Sequence, residues 1–101
     1  MADYRLSSHA QHRLDDIYYE SFARFGAEQA RKYLLVLHEA MKQLTNYPSL
    51  GEPYDHPLAG LRRKNIASHA IYYVVEGSDI LVIDVLHQSM LPDDHLPTAQ
   101  D

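Results

Sequence analysis

Two amphipathic helical patterns separated by a single glycine, Gly26, constrain this chain more than any other feature. After Gly26, residues Ala30, Tyr33, Leu34, Leu37, Met41 and Leu44 recur at helical spacing and make one apolar stripe. Before it, Ala10, Leu14, Ile17 and Ser21 share a face that Tyr18, Phe22 and Phe25 widen. Gly26 stops the first helix, because glycine takes the left-handed C′ conformation at little cost. Ser7 or Ser8 supplies the N-cap, Ser8 and Gln11 having capping-box spacing. Glu28 suits the start of the second helix, where the dipole favours a carboxylate, and Pro48 ends it. Helices joined by about one residue must fold back as an antiparallel hairpin.

What that hairpin covers follows from the rest of the chain. Asp3 to Leu6 alternates as a short strand, and Gly51, Pro53 and Pro57 make 48–60 a turn-rich loop. Strands are then expected over Leu61 to Ile66, His69 to Val75 and Ile80 to His87, with Glu76-Gly77-Ser78-Asp79 as a hairpin connection. The expected fold is α+β: an N-terminal helical hairpin packed on a small antiparallel β-sheet. One domain spans 1–96, and 97–101 is expected as a frayed tail. The runs Ile71 to Val75 and Ile80 to Ile83 are apolar on both faces, whereas a sheet with one wet face alternates. Two helices cover one face only, so the other is expected to seat a partner.

Bulk properties narrow the function. Cysteine is absent, which excludes disulfides, thiol catalysis and cysteine-ligated zinc and points to a reducing cytoplasm. No apolar run has membrane-spanning length, and Met1 to Tyr4 does not open a signal peptide. The net charge of −5 opposes tracking along a phosphate backbone, so a protein partner is expected and sequence-specific nucleic-acid binding is not.

Seven histidines raise metal and acid–base chemistry. His9 and His12 are three apart on the first helix but have no further ligands at zinc spacing, and read as solvated. His38 and His56 read as surface residues. His69 and His87 bracket the last hairpin, near Arg62, Arg63 and Lys64 in sequence. Two imidazoles and cations could cleave a ribose phosphodiester, whereas the structural reading has both simply ending strands. The basic triplet is a charged edge strand or an acidic-partner site. No phosphate loop, nucleophile elbow or cofactor motif is present, and no metal or cofactor is expected.

The order of these pieces resembles the ParE branch of the RelE/ParE bacterial toxins. Tyr4-Arg5-Leu6-Ser7 is similar to the family's opening, Leu14-Asp15-Asp16-Ile17-Tyr18 to its first-helix core, and Leu44, Pro48 and Gly51 to its loop. Gly60-Leu61-Arg62-Arg63, Ser68-His69-Ala70-Ile71-Tyr72-Tyr73, Leu86-His87, Met90 and His95-Leu96 complete the pattern. The resemblance implies a toxin of a type II toxin–antitoxin pair that inhibits DNA gyrase without catalysis and is neutralised by a cognate ParD-like antitoxin. It implies assembly as a homodimer or as a hetero-oligomer with that antitoxin. It implies target or partner contacts at Arg62, Arg63, His69, Tyr73, His87 and Met90. The alternative is a RelE-type ribosome-dependent mRNA endoribonuclease with His87 and Arg62 or Arg63 at its centre.

Overall fold

A computed structural model describes residues 3–98. Met1 and Ala2, and residues 99–101 of the expected tail, lie outside the described residues. Strand β1 (Tyr4–Leu6) leads into helices α1 (Ser8–Phe25) and α2 (Ala27–Asn46). A 3₁₀ turn (Pro48–Leu50) and a two-residue strand β2 (Glu52–Pro53) follow. Strands β3 (Arg62–Ile66), β4 (His69–Glu76) and β5 (Asp79–His87) then precede a second 3₁₀ turn, Pro92–Asp94.

The five strands form one mixed sheet in the order β1-β5-β4-β3-β2. β2 to β5 run antiparallel, and β1 pairs parallel with β5, Tyr4 facing Ile80 and Leu6 facing Val82. The return to a parallel register is possible because the whole helical hairpin lies between β1 and the rest of the sheet. Pro53 fits β2 because that strand is an edge, where a missing N–H costs no ladder bond. Gly77, at φ +63°, and Ser78 turn the β4–β5 hairpin between the facing pair Glu76 and Asp79.

Ser7, not Ser8, caps α1: its Oγ accepts from the Ala10 N–H at 3.0 Å. The same residue splices the helix to the sheet, its N–H donating to Val82 O at 2.9 Å and its Oγ to Ile83 O at 2.6 Å. Ile83 is the extra residue of a bulge, since Tyr72 faces Asp84 while Tyr73 faces Val82. Beside it, Asp84 is only 1% exposed and is held by Arg13 of α1 at 3.2 and 3.3 Å and by the Val85 N–H at 2.8 Å. A buried carboxylate so placed ties α1 to β5, because losing its cation leaves an uncompensated charge. Gly26 has φ +89° but ψ 173°, so the helix-to-helix corner is not the left-handed cap the sequence suggests. That region of backbone space is open to glycine alone.

One core lies between the helices and the sheet, with Leu14, Ile17, Leu37, Met41 and Leu44 packed on Ile71, Tyr73, Val82 and Val85. The α1 face is narrower than its pattern suggests: Phe22 and Phe25 point outward, Phe25 being 67% exposed. The second sheet face, expected to seat a partner, is covered by the chain itself. Leu58 and Leu61 from the loop and Leu96 from the tail bury Ala70, Tyr72, Val74, Ile83 and Leu86.

Leu37→Ala and Leu14→Ala should each cost roughly 2–5 kcal/mol, as large-to-small changes in a packed core do. Chemical denaturation checks this; losses under about 1 kcal/mol at both positions would mean the helix faces are assigned wrongly.

Candidate functional site

The antiparallel register places His69, the first residue of β4, opposite His87, the last of β5. Their rings are perpendicular with centroids 5.2 Å apart. Tyr33 reaches in from α2, its hydroxyl 2.6 Å from His69 Nδ1. That oxygen also accepts the Ser68 N–H at 3.2 Å. His87 Nδ1 accepts the Ser89 N–H at 3.1 Å and lies 2.7 Å from Ser89 Oγ. Because a backbone N–H donates to His87 Nδ1, the proton of that ring in its neutral form sits on Nε2.

His69 is 9% exposed. Burial lowers its pKa from the ordinary 6.5 to about 4; the neighbouring His87 adds to the fall and Glu20 opposes it. The adjoining β3–β4 turn carries backbone strain, with Ala67 at φ +52°. Gln88 holds that turn, its Nε2 donating to Ala67 O at 2.9 Å and its backbone N–H to Ser68 O at 3.0 Å. Between this end of the sheet and the C-terminal half of α1 lies a cleft of about 530 Å³. Ile17, Phe25 and Met90 give it apolar walls, and Glu20 and Arg24 line it as well.

Of the six residues singled out in the sequence, His69, His87 and Met90 meet at this cleft. The other three do not. Arg62 faces Tyr73, four residues down β3 from the Ile66–His69 pair, about 13 Å at ~3.3 Å per residue. Its guanidinium donates to Gly51 O at 3.0 and 2.6 Å, which commits it to shaping the loop. Arg63 lies 4.9 Å over the Tyr54 ring on the second face. Tyr73 is 0% exposed and offers a partner no surface. Its hydroxyl donates to Pro48 O and accepts the Gly51 N–H at 3.0 Å, and a Cβ on Gly51 would collide with it.

Two further histidines differ from their expected surface placement. The His56 side chain is enclosed and accepts the Leu58 N–H at 3.1 Å on Nδ1, while His38 is half-buried with Nδ1 2.7 Å from Tyr4 Oη. His9 and His12 are exposed, and no cluster of three metal-ligating side chains occurs among the described residues. Sequence reasoning missed Tyr33, Glu20, Arg24 and Ser89 as site residues. Tyr33 alone carried a signal, since a tyrosine in an apolar stripe must find a partner for its hydroxyl.

With this geometry in place, comparison with known proteins is decisive. The family profile described as "ParE toxin of type II toxin-antitoxin system, parDE" matches residues 4–92. The chain belongs to the ParE toxin family. Toxin ParE1 of Caulobacter vibrioides is 41% identical over 96 residues, covering 95% of this chain and 99% of that protein. Toxin ParE1 of Mycobacterium tuberculosis is 35% identical over 94 residues, covering 92% and 96%. Among solved structures, a chain of the chromosomal ParDE system from P. aeruginosa superposes with a TM-score of 0.73 at 22% identity, covering 86% of this chain and 95% of that one. A chain of the M. tuberculosis RelBE2 toxin–antitoxin complex gives 0.61 at 18% identity, covering 85% and 96%. These two share the fold. Among the described residues, no helix of this ParE-family toxin is long and apolar enough to cross a membrane.

A depressed histidine pKa means the unfolded chain binds the extra proton first. Stability tied to His69 is therefore present above pH 6.5 and is lost as pH falls from 6.5 toward about 4. Histidine side-chain NMR should show His69 titrating near pH 4, and a midpoint at 6.5 would contradict the burial argument.

Proposed function

We propose that this toxin acts in the cytoplasm by binding and inhibiting DNA gyrase, with no chemistry of its own, and that a cognate ParD-like antitoxin neutralises it. The supporting observation is the full-length likeness to ParE toxins, at 41% identity over 95% of the chain. The P. aeruginosa structural neighbour comes from a ParDE system, which fits an antitoxin partner here.

The histidine pair is the one observation that favours a RelE-type ribonuclease, and its surroundings argue against it. A general base or acid works best with a pKa near the operating pH, and His69 is held near 4. A phosphorane also needs cations. Arg62 is spent on the Gly51 carbonyl, and Arg24 is the sole lysine or arginine among the residues lining the cleft.

Purified protein should block gyrase supercoiling and leave ribosome-bound mRNA intact. Cleavage of that mRNA with supercoiling untouched would overturn the proposal. A saturating antitoxin peptide should raise the melting temperature, since a ligand at 100 times its Kd stabilises a folded protein by about 2.7 kcal/mol. An unchanged melting temperature would count against the antitoxin.

A further inference from the structure

The cleft beside the histidine pair presents two imidazole Nε2 atoms with nothing to bond. The Ser89 N–H occupies His87 Nδ1 and leaves that ring's proton on Nε2, while the Tyr33 hydroxyl engages His69 Nδ1. Neither Nε2 has a partner among the described residues. No buried side-chain nitrogen or oxygen among them is unsatisfied, so the Nε2 of His69 must still reach solvent although the residue is only 9% exposed. The opening it lines is the cleft of about 530 Å³ that also holds Arg24.

We propose that Tyr33 donates to His69 Nδ1 and that this cleft is a carboxylate-binding site, in which the Nε2–H groups of His69 and His87 donate to one carboxylate and Arg24 supplies the opposing charge. The two rings lie 5.2 Å apart, centroid to centroid, and both line the cleft. With its Nδ1 held by a backbone N–H, His87 offers an Nε2–H and no lone pair, which suits an acceptor and not a metal ion. A more highly charged phosphate fits poorly. Glu20 sits one helical turn before Arg24, Asp16 lies along the same trough, and the chain carries a net charge of −5. The apolar walls formed by Ile17, Phe25 and Met90 match the neighbours of an acidic residue within a peptide better than a free organic acid. The site stands whether or not gyrase is the target.

Histidine side-chain NMR on the full chain at pH 7 tests it with four probes. These are acetate, N-acetyl-Leu-Glu-Leu-amide, the same peptide with Gln in place of Glu, and inorganic phosphate. The acidic peptide should shift the Nε2 resonances of His69 and His87 saturably, and the Gln peptide should bind at least tenfold more weakly. Acetate at least tenfold weaker than the acidic peptide assigns the site to a protein side chain; acetate of equal affinity keeps the site and assigns it to a small acid. His87→Phe, with an unchanged melting temperature, should lose at least tenfold in affinity, and Arg24→Gln should lose several-fold. Equal binding of the Glu and Gln peptides, tighter binding of phosphate, or no saturable shift with any probe would overturn the proposal.

Discussion

A sheet that is apolar on both faces, with only two helices to cover it, is the constraint on which the rest of this molecule depends. β4 and β5 send Ile71, Tyr73, Val82 and Val85 to the helices and Ala70, Tyr72, Val74, Ile83 and Leu86 to the other side. Leaving that second set in water would forfeit roughly 25 cal/mol for each Å² of apolar surface. The loop before β3 and the tail after β5 close over it instead, through Leu58, Leu61 and Leu96. To reach that face the chain turns sharply after β5, with the Met90 N–H donating to His87 O at 2.9 Å. The turn gathers His87, Ser89 and Met90 beside His69, so covering the second face is also what builds the cleft.

The parts legible in the sequence were those written in periodicity. The stripe from Ala30 to Leu44 folded as read, because six apolar positions at helical spacing leave one face to bury. Strands β4 and β5 were readable as β-branched or aromatic runs bounded by turn residues, whereas β3, Arg62–Ile66, carries a single β-branched residue. Contacts between distant residues were not. Arg13 and Asp84 lie 71 positions apart and look like ordinary surface charges until the bulge at Ile83 turns the carboxylate toward α1. Leu58, Leu61 and Leu96 are isolated leucines among turn residues, with no period to mark them as core. At the site, His69 and His87 were findable as the residues bracketing a hairpin. Tyr73 misled because its strand is buried on both sides, so neither alternation nor chemistry separated core from surface.

The cleft of this ParE-family chain holds its two histidines in different surroundings, His69 buried and His87 exposed. Burial keeps His69 neutral near pH 7, and the Ser89 N–H fixes the His87 ring through its Nδ1. An imidazole held near pKa 4 transfers protons poorly at neutral pH. The strained Ala67 turn, braced by Gln88, keeps both rings at the rim of the sheet where an incoming group can reach them.

The claim that the chain's own tail completes its second core is tested most directly by chemical denaturation of Leu96→Ala. Leu96 is buried in the structure, although it stands two residues beyond the last 3₁₀ turn and far from either helix stripe. If the tail is part of the core, the substitution lowers unfolding free energy by roughly 2–5 kcal/mol, like other buried leucines. A change within about 0.5 kcal/mol, as at an exposed position, would show that the tail does not cover the sheet and would contradict the account.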